Sequence, residues 1–357
     1  MTAKYPLQLK PYVKEVVWGG RWLADTLGRS GAEGARLGES WEAYSGSQIM
    51  NGIWQGQTLA DVYARCGTEF AGSAAAAYPQ FPLLVKFIDA CENLSIQVHP
   101  NDTLARQMEN YPFGKTEFWY VLDAAPDAHI YYGLNNELNA GAMLREELQN
   151  ALTNQDLLRF LNRVPVTAGD VVFIPAGTIH ALTAGVVVYE LQQDSDITYR
   201  LYDWGRTDRE IHLEKGLQAI DTQCANLKIT HPIENKANSE DKLAKREDLE
   251  VEESENSSSV MELVTCRFFK SELWHIQQER NVPACQESFT LLTVIAGSGT
   301  LSSSEAHFET IDLKTGSTIC IPAGLEYTLL NVGKTEEGKT EGKELQVIAA
   351  QMIAPGE

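Results

Sequence analysis

The sequence lacks any apolar run long enough to span a bilayer, which takes about 20 residues, and this argues against a helical membrane protein. The N-terminus, MTAKYPLQLKPYVKEVVWGG, has no apolar core segment and no small-residue cleavage site, so it does not predict a secretory signal. The six cysteines form no CxxC pair. A disulfide framework or a cysteine zinc site is therefore not expected, and a reducing, cytoplasmic compartment fits best.

Positive charge is also scarce. The chain has 29 Lys and Arg against 49 Asp and Glu, a formal net charge of -20. Nucleic acids and anionic membranes are recognised by basic patches, so neither is an expected partner. A small anionic ligand would still require a local group of positive side chains.

The chain instead has the material of a large globular protein that is mainly β. Its 357 residues, 43% of them hydrophobic, exceed what one core usually spans. Short alternating apolar runs bounded by turn residues predict strands over Pro82–Ala90, Leu94–Val98, Glu117–Leu122, His129–Tyr132, Asp170–Ile174, Gly185–Leu191 and Thr198–Tyr202. Leucines at helical spacing predict a helical insertion over Asn139–Leu161. Charged and Ser-rich composition predicts an exposed linker over His231–Ser259.

An internal repeat divides the chain. Residues 169–182, GDVVFIPAGTIHAL, align without gaps with residues 316–329, GSTICIPAGLEYTL. Upstream, EFWYVLDA at 117–124 has a weaker counterpart in TLLTVIAG at 290–297. His180 is thus replaced by Tyr327 and Glu117 by Thr290. The two copies predict two small β-barrels, of which only the first keeps residues that bind metal.

Four residues of the first copy are candidate metal ligands. Gln97 and His99, in LSIQVHPND, share one face of a strand; Glu117 begins another strand, and His180 follows a Pro-Ala-Gly turn. Two imidazoles, a carboxylate and an amide oxygen suit a borderline divalent cation, zinc first. A buried histidine is also compatible with a purely structural role, and four separated residues do not by themselves establish a site.

The chain resembles the type I mannose-6-phosphate isomerases of the short bacterial form over nearly its whole length. The matching passages include LGESWEAYSG, FPLLVKFIDACENLSIQVHPND, GKTEFWYVLDA, FIPAGTIHAL and YELQQDSDITYRLYDWGR. The resemblance implies two cupin-type (jelly-roll) barrels: a catalytic domain at 1–230 with the insertion, a linker at 231–259 and a degenerate domain at 260–357. It also implies one zinc ion per chain on Gln97, His99, Glu117 and His180, the same four residues.

The reaction implied by the resemblance interconverts mannose 6-phosphate and fructose 6-phosphate through a cis-enediol. Arg200 occupies the family's arginine position and would stabilise negative charge, since a guanidinium rarely loses its proton. An ion pair with Asp196 or Asp203 is the alternative for Arg200. Glu190 is a candidate base whose pKa burial could move toward neutrality.

Two lysines complete the candidate catalytic residues. Lys115 lies two residues before Glu117 and so faces the same way on a strand. Lys86 is a polar residue in an apolar strand, and it either reaches solvent or faces the cavity. Together with Arg200 they could supply the charge that a phosphate needs. The alternatives left open are an iron-dependent cupin dioxygenase and a non-catalytic sugar-phosphate-binding protein.

Overall fold

The computed structural model describes residues 4–135, 142–153, 156–221, 229–230, 258–303, 308–333 and 344–354. Its strands are, in chain order, β1 Leu7–Gln8, β2 Tyr12–Gly20, β3 Leu37–Ala43, β4 Leu83–Ala90, β5 Ile96–Val98, β6 Glu117–Ala124, β7 His129–Leu134, β8 Leu161–Pro165, β9 Val171–Ile174, β10 His180–Leu182, β11 Val186–Gln193, β12 Tyr199–Tyr202, β13 Ile229–Thr230, β14 Ser259–Thr265, β15 Phe269–Ile276, β16 Glu279–Val282, β17 Thr290–Ala296, β18 Ser298–Ser302, β19 Ile311–Lys314, β20 Thr318–Ile321, β21 Tyr327–Asn331 and β22 Leu345–Met352.

Short helices connect the strands. The α-helices are α1 Trp22–Leu27, α2 Leu59–Cys66, α3 Thr68–Ala71, α4 Asp102–Glu109, α5 Ala142–Thr153 and α6 Leu213–Ala219. Single 3₁₀ turns cover Gly52–Trp54, Ser73–Ala77 and Leu157–Phe160. None of the described helices is both long and apolar enough to cross a membrane.

The described strands form two pairs of antiparallel sheets. The first pair is a sheet in the order β13-β9-β6-β11-β4-β3-β2 and a sheet in the order β12-β5-β10-β7-β8. The second pair is β1-β20-β17-β22-β15-β14 and β16-β21-β18-β19. One apolar cluster joins the sheets of each pair, and a third, including Phe81 and Phe289, packs the outer faces of the two larger sheets together. A strand such as β4 is therefore buried on both faces, which explains its nearly continuous apolar sequence.

The segment that follows β5 is fixed at several points. Asn101 caps α4 by accepting a hydrogen bond from the Leu104 N–H, at 3.0 Å. Asp102 Oδ1 accepts hydrogen bonds from the Gly114 N–H at 2.8 Å and from Gln193 Nε2 at 2.9 Å. These contacts tie His99 and its neighbours to the start of β6 and the end of β11, so the candidate ligands sit on a rigid frame.

The mainly β class and the predicted strands are confirmed, with bounds shifted by one or two residues. The helical insertion is present as α5 and a 3₁₀ turn, but the prediction is wrong at Leu161, which begins β8; residues 139–141 and 154–155 lie outside the described residues. The predicted linker lies outside them as well, except for Ser258 and Ser259, and Ser259 already begins β14. The number of barrels and the domain boundaries stay predictions. One strand pairing joins the predicted N-terminal and C-terminal domains, because β1 pairs with β20 at Leu7 and Cys320.

Candidate metal centre

The larger sheet of the first pair places a row of polar residues on its inner face. Glu190 of β11 pairs directly with Lys86 of β4 on one side and Trp119 of β6 on the other. Two residues along, Gln192 pairs with Glu117. Directly paired residues of antiparallel strands point to the same face. Glu117, Trp119, Glu190 and Lys86 therefore project together.

The facing sheet supplies the other candidates. His180 of β10 pairs with Gln97 of β5, and Gln97 pairs in turn with Arg200 of β12. These three side chains share one face of that sheet. His99 follows the end of β5 by one residue and continues the alternation of Gln97. The candidate site therefore lies between the two sheets.

Three side chains converge there. His99 Nε2 lies 3.6 Å from Glu117 Oε2, and His180 Nε2 lies 3.3 Å from Glu117 Oε1. All three ligand atoms lie within 4.8 Å of one another, and all three residues are buried. Among the residues that the structure describes, no other group of three His, Cys, Asp or Glu side chains converges in this way.

Hydrogen bonds fix how the two imidazoles face the carboxylate. Nδ1 of His99 donates to the carbonyl oxygen of Ile197 at 3.0 Å, and Nδ1 of His180 donates to that of Thr178 at 2.9 Å. Each Nε2 then carries a lone pair in the neutral ring. Burial keeps both rings neutral, since it lowers the pKa of His180 to about 4 and that of His99 well below its ordinary value.

The resulting cluster has buried electron pairs with too few donors. His99 Nε2 and both carboxylate oxygens of Glu117 have no hydrogen-bond partner in the structure. Burial, followed by the charge of Glu190, raises the pKa of Glu117 to about 7. Orphaned lone pairs and a buried carboxylate are costly unless a cation joins them. Two imidazole nitrogens and a carboxylate fit a divalent metal ion that keeps an open position.

Gln97 lies beside this cluster in a different orientation from the one expected. Its amide nitrogen Nε2, rather than its oxygen, lies 3.2 Å from His180 Nε2. The amide oxygen lies 3.5 Å from the Ser95 hydroxyl. A half-turn of the amide would bring the oxygen toward the cluster, so the role of Gln97 as a ligand stays a prediction.

The candidate catalytic residues form a connected network next to the cluster. Lys115 Nζ lies 3.3 Å from Glu117 Oε2. Lys86 Nζ lies 3.2 Å from Glu190 Oε1, and Trp119 Nε1 donates to Glu190 Oε2 at 2.9 Å. The Lys86 side chain is only 4% exposed. Lys86 therefore lies buried against Glu190 between the two sheets and does not reach solvent.

The expectation that burial tunes Glu190 toward neutrality is wrong. Burial alone would raise its pKa, but Lys86 and Lys115 together lower the pKa below the ordinary value for glutamate. The same pairing raises the pKa of Lys86 against the effect of burial, with a further contribution from Glu39. Glu190 and Lys86 are thus held as an ion pair.

Arg200 does not form either ion pair considered from the sequence. Its Nη1 donates to the carbonyl oxygen of Glu210 at 2.8 Å. The carboxylate of Asp203 is occupied by Arg206 and Arg209, and that of Asp196 lies 3.4 Å from Lys14. The Arg200 side chain therefore contacts the backbone of the segment that follows β12, where burial, followed by the charge of Arg209, lowers its pKa.

Sequence reasoning missed the residues on one side of the Lys86–Glu190 pair. Trp41 of β3 pairs with Lys86, and Lys14 of β2 lies over the Trp41 ring at 3.8 Å. Glu39 lies between the two lysines and accepts a hydrogen bond from Trp41 Nε1 at 2.6 Å. The period-two spacing of Tyr12 and Lys14 could have indicated that both side chains lie on one face of a strand, but no strand was predicted over β2.

Comparison with known proteins agrees with this geometry. Residues 7–138 match the family model for the phosphomannose isomerase type I catalytic domain. The chain is 34% identical over 329 residues to the mannose-6-phosphate isomerase ManA of Bacillus subtilis, covering 90% of this chain and 94% of ManA. It superposes on the crystal structure of the Bacillus subtilis mannose 6-phosphate isomerase with a TM-score of 0.76 and 30% identity, covering 97% of this chain and 99% of that one. A putative mannosephosphate isomerase from Archaeoglobus fulgidus shares the fold, with a TM-score of 0.71, 20% identity and 98% coverage of each chain.

The chain has the cupin fold with a buried His-Glu-His centre between two sheets. It belongs to the type I mannose-6-phosphate isomerase family.

Removing one histidine of the cluster should remove the metal. We expect His180→Ala to lower the affinity for zinc by at least about 100-fold, because a ligand and its lone pair are lost. Zinc retained after gel filtration, measured by atomic emission, tests this, with circular dichroism to check the fold. The matched control is His129→Ala, outside the cluster, which should retain zinc. Equal zinc content in both variants would contradict the site.

The metal affinity should also depend on pH in one direction. Binding of a divalent ion at the cluster requires ionised Glu117, whose pKa is raised to about 7, whereas both histidines are already neutral at that pH. The affinity should therefore fall by about tenfold per unit as the pH drops below about 7, and should level off above it. A competition titration with a chromogenic chelator measures this slope. A flat affinity between about pH 5.5 and 7 would contradict it.

Proposed function

We propose that the protein is a zinc-dependent aldose–ketose isomerase that interconverts mannose 6-phosphate and fructose 6-phosphate through a cis-enediol. The observation that carries the proposal is the convergence of His99, Glu117 and His180 within 4.8 Å, beside the buried pair of Lys86 and Glu190. The names of the relatives support the same activity, since ManA is a mannose-6-phosphate isomerase.

In this proposal His99, Glu117 and His180 hold the zinc ion, with Gln97 as a fourth ligand after rotation of its amide. The bound ion would supply a positive centre close to the substrate oxygens. The chain's own residues then have to position the sugar and move protons.

Glu190 is our candidate for the group that takes the proton from C2 of the aldose and returns it to C1. Its lowered pKa keeps the carboxylate ionised, and therefore able to accept a proton, at neutral pH. Lys86 and Trp119 hold its two oxygens, which fixes the carboxylate in place. The positive charges of Lys86 and Arg200 would stabilise the negative charge that develops on the enediolate.

Lys115 is our candidate for the proton transfer that opens the sugar ring. Its ammonium lies against Glu117 and is 5% exposed, so it is close to the proposed ion and shielded from water. Lys86, Lys115 and Arg200 also provide the local positive charge that a phosphorylated sugar needs in a chain of net charge -20. The five described cysteines are free thiols, and we place the protein in the reducing cytoplasm.

A coupled assay of mannose 6-phosphate isomerisation tests the proposed function. The zinc-loaded protein should produce fructose 6-phosphate, a metal chelator should abolish turnover, and added zinc should restore it. A zinc-loaded protein that binds the sugar phosphate without turnover would contradict the proposal and favour a binding protein. Oxygen consumption with bound iron would favour a dioxygenase.

The role of Glu190 can be separated from that of the metal. Glu190→Gln keeps the size and the hydrogen bond from Trp119 but removes the proton acceptor, so we expect kcat to fall by about 100- to 10,000-fold. The variant should retain zinc and still unfold cooperatively, but at a lower midpoint, because Lys86 loses its buried counter-ion. Glu210→Gln, a matched change at an exposed residue, should leave kcat unchanged. Wild-type kcat in Glu190→Gln would show that another group moves the proton.

A further inference from the structure

The second pair of sheets repeats the geometry of the metal centre with different residues. In the first pair Glu117 is registered against Ile174, and in the second Thr290 is registered against Ile321. His180 and Tyr327 each follow these isoleucines by six residues, across the same Pro-Ala-Gly turn. The alignment made from the sequence is thus confirmed by the strand registers.

The remaining positions can be matched in the same way. His180 pairs with Gln97, whereas Tyr327 pairs with Val282. In the larger sheets, Gln192 is registered between Glu117 and Leu84. The corresponding row in the second pair contains Thr290, Gln351 and Lys270, since Gln351 is registered against Lys270 and donates to the Thr290 hydroxyl at 2.7 Å. No metal-binding set survives in this row.

A cavity occupies this position in the second pair of sheets. It has a volume of about 200 Å³ and is lined by Lys270, Trp274, Thr290, Tyr327 and Gln351, among others. A larger cavity of about 420 Å³ adjoins it and shares Lys270, Ser288 and Gln351. Apolar side chains have replaced part of the site, with Val282 at the position of Gln97, but a cavity remains.

The lining of the smaller cavity combines one cation with neutral polar groups, two aromatic rings and apolar side chains such as Val282 and Leu325, and Glu287 lines the adjoining cavity. Lys270 of β15 supplies the cation and is partly buried. Glu272, two residues along the same strand, accepts a hydrogen bond from Trp274 Nε1 at 2.8 Å. Thr290 and Gln351 offer a hydroxyl and an amide, and Trp274 and Tyr327 offer apolar ring surface. Such a lining is typical of sites for small polar ligands.

We propose that this cavity is a second, non-catalytic binding site for a small phosphorylated polyol. Lys270 would bind the phosphate through a charge-assisted hydrogen bond. Gln351 and Thr290 would bind hydroxyl groups, and the rings of Trp274 and Tyr327 would cover the carbon chain. The proposal does not depend on the isomerase activity, because no residue of the first site takes part.

The test is a calorimetric titration of the full-length, zinc-loaded protein with glucitol 6-phosphate, an open-chain polyol phosphate that has no carbonyl group and cannot isomerise. The variant is Lys270→Gln, and its matched control is Lys314→Gln, an exposed lysine of the same pair of sheets. Inorganic phosphate is titrated in parallel to measure how much of the binding the anion alone provides.

We expect Lys270→Gln to bind one mole of glucitol 6-phosphate per chain less than Lys314→Gln does. Alternatively, Lys270→Gln keeps the same stoichiometry but binds the ligand at this second site at least about tenfold more weakly. The kcat and KM of both variants should equal those of the wild type. Thr290→Val should lower the affinity for glucitol 6-phosphate at the same site. Agreement between the two variants would show that the effect of Lys270→Gln does not come from misfolding of that variant. Equal stoichiometry and affinity in Lys270→Gln and Lys314→Gln, or no binding to the wild-type protein, would overturn the proposal. The calorimetric comparison of the two lysine variants remains valid if the isomerase assay fails, since it measures only binding at the second cavity.

Discussion

The candidate metal centre is organised around a fully buried carboxylate that faces two imidazole lone pairs. Glu117 has 0% side-chain exposure, and neither of its oxygens has a hydrogen-bond partner. Lys115 approaches one side only. An arrangement of this kind is destabilising without a cation, which is why we interpret it as a binding site and not as a stabilising part of the core. The backbone carbonyls of Ile197 and Thr178 aim both rings at the same point, and three separate segments of the chain are held in register to do so.

The two repeats share the backbone turn but not the residues that could bind metal. Gly177 and Gly324, at φ +92° and +78°, both occupy the left-handed region that the shared Pro-Ala-Gly turn requires. The turn therefore persists in both copies because the backbone needs it. The ligands do not persist, since Thr290 and Tyr327 satisfy the same strand positions without metal. One copy would serve catalysis while the other offers a cavity of different chemistry.

The sequence was sufficient for most strands of the first pair of sheets and for the two central histidines, because period-two alternation indicates the strand before His99 and the internal repeat singles out residues 169–182. It did not predict β2 and β3, where Gly and charged residues interrupt the apolar pattern, and so Lys14 and Trp41 were missed. The sequence also did not predict the direction in which the pKa of Glu190 is shifted. Whether burial or neighbouring cations determine that pKa depends on the registration of Glu190 against Lys86, which no local pattern encodes. The orientation of the Gln97 amide likewise depends on contacts across strands.

The most direct test of this account is a crystal structure of the zinc-loaded protein, with anomalous diffraction recorded on both sides of the zinc absorption edge. We predict a single strong anomalous peak between His99 Nε2, His180 Nε2 and the carboxylate of Glu117. A peak beside Thr290 and Tyr327, or none within coordination distance of Glu117 in zinc-loaded crystals, would contradict the account.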